Sequence, residues 1–375
     1  VIVFCAGTSF EGIAGTDVHM ARQLSRHAPV LYVDPPMPVK PGRRGLVDGR
    51  RGPVLRQVSD GLFRLTPRSV PGHTRRFVDR TTSRLVRRQI EDAVRTLDRP
   101  VHAVVVATLE DLLKVCDAPR RIFYGTDDYV AGAELMGLRR SALMRAEMRQ
   151  LSKATDVVAV SPCLRDRWAG GGRSPVLITN GCDVDTFSYT DTAPRPRDLQ
   201  LTGPIAGVVG HINSRTNIDM LAAVAASGMS LLLIGPVDRR FAPDRMRNLL
   251  QQPNVQTVGQ KPFAELPGYL GAIDVGLTPY ADTPFNRASF PLKTLEYLAA
   301  GRPVVSTDLP ATRWLDTDLI TMAEKPTSFA DAVVHAVADA RDPALTEQRR
   351  KFAAQHSWER RAGALMQFLD DAGTT

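Results

Sequence analysis

The sequence predicts an α/β protein of two doubly wound, Rossmann-like domains facing each other across a cleft. Short apolar runs of the kind buried in parallel sheets alternate with helix-length amphipathic segments, and this series occurs twice. A stretch dominated by Thr, Asp, Pro and Arg, residues 188–203, separates the two series and reads as a linker. A chain of 375 residues exceeds one comfortable core and suits two domains of ordinary size. The expected divisions are 1–190, 200–355 and a terminal helical segment, 356–375.

In the first series, residues 1–6 form an apolar run that Gly7 ends, and residues 17–27 place Val18, Ala21 and Leu24 on one helical side. Residues 30–33 are a second strand closed by Asp34-Pro35-Pro36, so the chain opens with a βαβ unit. Residues 35–71 are rich in Pro, Gly and Arg and predict loop with one hairpin. A helix over 81–97 faces its core with Leu85, Ile90, Val94 and Leu97. Strands at 101–107 and 121–124, a helix over 134–151, and strands at 157–160 and 175–178 follow, before the turn Asn180-Gly181-Cys182-Asp183. The second series runs strand 205–209, helix from Asn217, strand 231–234, helix near Arg245, strand 255–258, helix 262–270 and strand 275–277. Ser357 is placed to cap a final helix with an apolar stripe of Ala362, Leu365, Met366 and Leu369.

With 43% hydrophobic and 23% charged residues the composition is that of a soluble globular protein. The four cysteines, Cys5, Cys116, Cys163 and Cys182, lack metal-like spacing, and no signal-peptide pattern precedes the first strand. A reducing cytoplasm is the expected setting. No apolar run approaches the ~18 residues needed to span a bilayer. The seven histidines show no H-E-x-x-H or other metal spacing, which leaves a zinc hydrolase unsupported, and no metal is expected. No Ser-His-Asp triad assembles, and G-x-G-x-x-G is missing after the first strand, against a dinucleotide fingerprint.

Charge is uneven: residues 40–99 hold sixteen Lys/Arg against six Asp/Glu, a net +10 where the whole chain has +8. Such a segment suits nucleic acid, an anionic membrane surface, phosphorylated substrates, or simply a solvated arginine-rich face. Its pairs Arg43-Arg44, Arg50-Arg51, Arg75-Arg76 and Arg87-Arg88 have no interleaved aromatic residues, so no specific nucleic acid is expected.

The most informative stretch is residues 289–306. Pro291 enters a short helix, Gly301 leaves it, and an apolar strand follows. Lys293 and Glu296, three apart, share one face near the helix start, where unsatisfied amides attract anions, phosphate above all. A cation there can hold a diphosphate, and a carboxylate one turn on can accept two hydrogen bonds from a ribose diol. The same spacing also suits an ordinary ion pair worth a few tenths of a kcal/mol.

The pattern S-x-P-x-K-x-x-E-Y-L-A-A-G-x-P-V-V, seventeen consecutive positions, resembles the donor-site segment of retaining GT-B glycosyltransferases of the family-4 type, especially the bacterial envelope-polysaccharide and teichuronic-acid branch. The resemblance implies donor binding through Ser289, Phe290, Leu292, Lys293 and Glu296. It also implies a phosphate clamp after the first strand of the second domain, in Gly210-His211-Ile212-Asn213-Ser214-Arg215. That segment is shortened relative to the family: His211 stands where an arginine is usual and Arg215 near the usual lysine, which leaves the role of His211 open. Two fixed cations, Arg215 and Lys293, can take the place of magnesium on the diphosphate; Arg215 also suits a helix-start surface position. Where the family often has an acidic residue contacting the donor sugar, this chain has Ala288, which implies a changed sugar preference or a contact from elsewhere.

Gly259 ends a strand of the same half and either leaves room for main chain to read a nucleobase or simply terminates the strand. In the first half, residues 35–71 read as an acceptor-side insertion, and the resemblance puts acceptor and donor phosphate near the loop bearing Gly12 and Gly15. Asp127 and Asp128 follow a strand; Asp127 is assigned to orienting an acceptor or donor-sugar hydroxyl, with metal binding or helix capping as alternatives. Asn180, Asp183 and Phe187 match N-G-x-D-x-x-x-F and read as hinge architecture.

The expected activity is transfer of a sugar from a nucleotide diphosphate sugar, with UDP or GDP as nucleotide and no cofactor, to a small natural product, a glycan or a lipid-linked intermediate. Arg215, Lys293 and Asp127 are the expected catalytic residues. Retention of configuration is implied by the resemblance alone. The expected location is the cytoplasm, with peripheral contact at the inner face of an anionic membrane. A sugar-nucleotide epimerase of the same architecture and a basic-surface nucleic-acid or anionic-lipid binding protein are the alternatives.

Overall fold

A computed structural model describes residues 1–12, 15–38, 53–69 and 76–371. The chain divides into two compact units: Val1–Thr179 with the chain from Arg361 onward, and Asn180–Arg360.

The first unit begins β1 (Ile2–Cys5), α1 (Thr16–Leu24), β2 (Val30–Val33), β3 (Met37–Pro38), β4 (Val54–Ser59), β5 (Leu62–Thr66) and β6 (Arg68–Ser69). It continues with α2 (Arg76–Leu97), β7 (Ala103–Val106), β8 (Arg120–Gly125), α3 (Arg140–Lys153), β9 (Asp156–Ala159), α4 (Pro162–Ala169) and β10 (Val176–Leu177). Eight strands form one sheet in the order β10-β9-β8-β7-β1-β2-β5-β4, while β3 and β6 pair separately. All ladders of the large sheet are parallel except the β4–β5 hairpin. Val3, Cys5, Val104 and Phe123 pack with Val86 and Ile90 of α2 and Trp168 of α4 in the core beneath it.

The hairpin expected within 35–71 is β4–β5; residues 39–52 and 70–75, which include Arg43, Arg44, Arg50, Arg51 and Arg75, lie outside the described residues. The helix expected from residue 134 begins only at Arg140. Turns occupy 129–137, and Gly137 sits at φ +64, a left-handed conformation that interrupts a helix.

The second unit runs α5 (Val184–Ser188), β11 (Ile205–Val209), α6 (Ile218–Ala226), β12 (Ser230–Ile234), α7 (Pro243–Leu250), β13 (Val255–Gly259), α8 (Leu266–Ala272) and β14 (Val275–Thr278). Then follow α9 (Pro284–Ala288), α10 (Leu292–Ala299), β15 (Val304–Thr307), α11 (Pro310–Arg313), β16 (Ile320–Ala323), α12 (Pro326–Ala336) and α13 (Pro343–Ala354); the last helix, α14 (Trp358–Asp371), belongs from Arg361 onward to the first unit. The six strands form an all-parallel sheet, β13-β12-β11-β14-β15-β16. Its period-2 pattern feeds two cores: Leu231 and Leu233 pack with Met220 of α6 and Phe329 of α12, Leu232 and Ile234 with Leu270 of α8 and Leu295 of α10.

The division falls at residue 180, ahead of the expected linker, and residues 188–203 belong to the second unit. Leu199 and Leu201 bury in its core, Asp191 pairs with Arg302 at 2.7 Å, and Asp198 accepts from the Tyr269 hydroxyl at 2.6 Å. The polar composition that suggested a linker supplies anchors instead. Ser357 accepts from the Arg360 amide at 3.3 Å at the start of α14, whose Ala362, Leu365 and Leu369 are buried.

Candidate functional site

In the second sheet the winding reverses between β11 and β14, so the loops leaving their C-terminal ends diverge at a crevice, the place where doubly wound sheets take ligands. These loops, 210–217 and 279–291, hold most of the predicted donor residues. An isolated bridge between Thr216 and Tyr280, and a hydrogen bond from the Asn217 amide to the Pro279 carbonyl at 2.7 Å, join them.

Three glycines mark the edge of this crevice at the ends of adjacent strands. Gly210 has φ +143, and its amide donates to the Ile234 carbonyl at 2.9 Å. At Gly235, φ +142, a Cβ would lie 1.9 Å from the Gly210 carbonyl oxygen, so only glycine fits. Gly259 closes β13, and a Cβ on Gly210 or Gly259 would meet nothing within 4 Å, which leaves room beside the backbone. Gly235 was not singled out from the sequence, although Ile234-Gly235-Pro236 directly after a strand carries the signal. His211 is exposed; it helps hold Asp238 below the ordinary carboxylate range, after the larger contribution of hydrogen bonds from Arg240.

Arg215 is half-buried and fixed from two sides. Its Nε donates to Asn286 Oδ1 at 2.9 Å, and its guanidinium carbon lies 4.8 Å from the Phe285 ring centroid and 5.4 Å from that of Tyr280. The Asn286 side-chain amide donates back to the carbonyls of Arg215, at 2.9 Å, and Ala281, at 2.8 Å. Buried Asn286 thus holds the cation and the loop together, a role no sequence motif announced.

At α10 the predicted proline entrance and glycine exit are both present: Pro291 occupies the cap position, no side chain caps the helix, and Gly301 has φ +78. Lys293 Nζ lies 2.7 Å from Glu296 Oε2; Glu296 is 5% exposed and Lys293 half-buried. Ser289 and Phe290 are buried, with Ser289 Oγ donating to the Phe285 carbonyl at 2.9 Å, and Leu292 is half-buried. Beneath them Tyr297 ties the helix to the crevice floor: its hydroxyl accepts from the Val209 amide at 2.7 Å and donates to the Leu277 carbonyl at 3.3 Å. Gly276 makes this possible, since a Cβ there would lie 2.3 Å from the Tyr297 ring. Arg302, a variable position of the motif, is 1% exposed, and burial pulls its pKa down to about 10.

The first sheet reverses between β1 and β7. There Asp17, 3% exposed in the first turn of α1, accepts on Oδ2 from the Gly7 amide at 2.8 Å, the Thr8 amide at 3.2 Å and the Thr8 hydroxyl at 3.2 Å. Burial pushes its pKa up to about 6 against these bonds, and the charge of Asp127 adds to the rise. Predicted Asp127 therefore shares its neighbourhood with Asp17, which the sequence reading passed over. Asp128 is held differently: it accepts from the Ala131 amide at 2.9 Å and from Arg167 at 3.3 Å, the capping alternative. Gly15 caps α1, and the Gly12 amide donates to the Ser9 carbonyl at 3.0 Å. Asp34 fastens the same loop, accepting from the Phe10 amide at 2.8 Å, Arg64 at 2.6 Å and Thr66 at 2.6 Å.

Residues 203–339 match the family described as Glycosyl transferases group 1. A putative teichuronic acid biosynthesis glycosyltransferase, TuaH, of Bacillus subtilis (strain 168) is 32% identical over 234 residues, covering 60% of this chain and 59% of that protein. The chain thus matches about three-fifths of the length of this curated relative. Among solved structures, sucrose-phosphate synthase from Thermosynechococcus elongatus superimposes with a TM-score of 0.76 at 17% identity, covering 99% of this chain and 98% of that one. Anabaena Alr3699/HepE in complex with UDP and glucose gives 0.65 at 14% identity, over 98% of each chain. The chain has the GT-B fold of these solved structures, and the segment of its second unit that bears the β11–β14 crevice is the part similar to the group 1 glycosyltransferases.

Proposed function

We propose that the protein transfers a sugar from a nucleotide diphosphate sugar to an acceptor, binding the donor at the β11–β14 crevice. The observation that carries this is the construction of α10: an uncapped helix start with a lysine and a buried glutamate on one face, anchored through Tyr297 to the end of β11. Glu296 accepts the ribose hydroxyls, and Lys293 turns from Glu296 to the diphosphate with Arg215. As the bond between sugar and phosphate breaks, negative charge grows on the leaving diphosphate; fixed cations and the helix end stabilise it more in the transition state than in the ground state. Open backbone at Gly210 and Gly259 gives the nucleotide room. UDP in a solved relative of this fold supports UDP as donor nucleotide, with GDP the second expectation.

The acceptor is assigned to the first unit, at the β1–β7 switch point, where Asp127 and Asp17 orient the attacking hydroxyl. Retention of configuration, with a phosphate oxygen taking the proton, belongs to the same proposal, as do the cytoplasmic location and independence from metal. The named relative supports a glycan or lipid-linked envelope acceptor. Incubating the protein with UDP- and GDP-sugars, with and without acceptor extracts, tests this. Release of nucleotide that requires both acceptor and Lys293 supports transfer, whereas donor conversion without acceptor identifies an epimerase.

A further inference from the structure

The stretch whose composition suggested a linker is fastened, at residues 198–201, to β13 and to the turn that follows it. Leu199 and Leu201 are buried in the core of the second unit. The contacts around them are polar. The Gln256 side chain of β13 donates from Nε2 to the Asp198 carbonyl at 2.6 Å and accepts on Oε1 from the Gln200 amide at 2.9 Å. The Asp198 carboxylate takes the Tyr269 hydroxyl of α8 on Oδ1 at 2.6 Å and the Lys261 ammonium on Oδ2. Lys261 Nζ also lies 5.4 Å from the Tyr269 ring centroid. Hydrogen bonds from Lys261 and then from Tyr269 hold the Asp198 carboxyl below the ordinary carboxylate range.

β13 is an edge strand, so no second ladder keeps its end in place. That end departs from regular pairing: Leu233 pairs with Thr257 and Ile234 with Gly259, which leaves Val258 as the extra residue of a bulge. Bulges re-aim a strand and are over-represented beside active sites. Gly259 then turns the chain at φ +67, with open space where a Cβ would stand. The backbone N–H and C=O groups of the next two residues, Gln260 and Lys261, have no hydrogen-bond partner among the described residues. A turn fastened through the Lys261 side chain, with its main chain unpaired, presents donors and acceptors in fixed positions.

We infer that Asp198, acting through Lys261, is a positioning residue for nucleobase selection: it fixes main chain 259–261 so that these N–H and C=O groups meet the polar edge of a pyrimidine and leave no width for a purine. The role rests on the donor site proposed at the β11–β14 crevice and adds to it the residues that choose the base. Main-chain groups that match one base stay unpaired against another, and that difference is the source of selectivity. It lasts only while the turn keeps its place, since a misplacement of about 1 Å can cost on the order of a hundredfold. An exposed ion pair that served only as a brace would act on both nucleotides alike.

The test is calorimetric titration of the purified chain with UDP and with GDP, for the wild type, Asp198→Ala, Lys261→Met, Lys261→Arg and Glu296→Ala, with Tm recorded for each. The quantity read is the ratio of the two dissociation constants. The expected ratio favours UDP by about tenfold or more in the wild type, falls about tenfold in Asp198→Ala and Lys261→Met, and is kept in Lys261→Arg, which retains the cation. Glu296→Ala should weaken both nucleotides alike and leave the ratio unchanged, because the ribose is common to them. Where Asp198→Ala fails to fold, Lys261→Met against Lys261→Arg decides, since both leave Asp198 its bond from Tyr269. A wild type that binds UDP and GDP equally, or variants at 198 and 261 that weaken both alike, overturns the positioning role and leaves the donor site standing. Absence of any Glu296-dependent nucleotide binding in the wild type overturns the donor site and the positioning role with it.

Discussion

At the scale of single residues, the account depends on charges held where they meet a ligand. Glu296 is buried, so its partners matter more than those of a surface carboxylate. Glu296→Ala is expected to remove hydrogen bonds worth roughly 1.5–3 kcal/mol together, a loss of about ten- to hundredfold in nucleotide affinity by titration calorimetry. Lys293→Ala should depress kcat more than it weakens donor binding, because its charge is used most as the diphosphate leaves. Asp17 makes a prediction about pH. Its carboxyl titrates near 6 in the folded chain against an ordinary 3.8, so the native state holds the extra proton. That contribution to stability is complete below the ordinary value and is lost as pH rises through about 6. Relative to Asp17→Asn, the wild type should lose up to about 3 kcal/mol between pH 4 and pH 7 in urea denaturation. A constant difference across that range would remove the buried carboxylate from the account.

At the scale of elements, α10 and the strands beneath it act as one piece. Tyr297→Phe leaves the buried Val209 amide without its acceptor and should cost about 1–3 kcal/mol. Gly276→Ala forces a methyl group against the Tyr297 ring and should cost a comparable ~1–3 kcal/mol through overpacking. Both variants should weaken nucleotide binding although neither residue is assigned to the ligand; unchanged binding in a measurably destabilised variant would separate the helix anchor from the site. These contacts also show what the sequence made legible. The proline entrance, the glycine exit and the Lys293–Glu296 spacing are local, and periodicity with punctuation reveals them. Asn286 and Gly276 work through Arg215 and Tyr297, partners distant in sequence, so nothing in their own neighbourhood announces them. The expected helix from residue 134 failed at Gly137, where a left-handed turn outweighs helical periodicity on both sides.

At the scale of the whole molecule, two successive βα series implied two doubly wound units, and the sheets have that winding. The position of the boundary was less legible: composition pointed to residues 188–203, yet Leu199, Leu201 and Asp191 fix that stretch into the second unit. Linkers and anchored polar segments share a composition and differ only in their tertiary partners. Binding to the native state alone should also raise stability, by about 2.7 kcal/mol at a nucleotide concentration one hundred times Kd, seen as a rise in Tm. The most direct test of the donor site is calorimetric titration of the purified protein with UDP, GDP, dTDP and ADP without added metal, with Glu296→Ala as control. The predicted result is binding of UDP or GDP with a Kd on the order of micromolar that weakens about ten- to hundredfold in the variant. Binding of none of the four, or binding that Glu296→Ala leaves unchanged, would contradict the assignment of the β11–β14 crevice as the donor site.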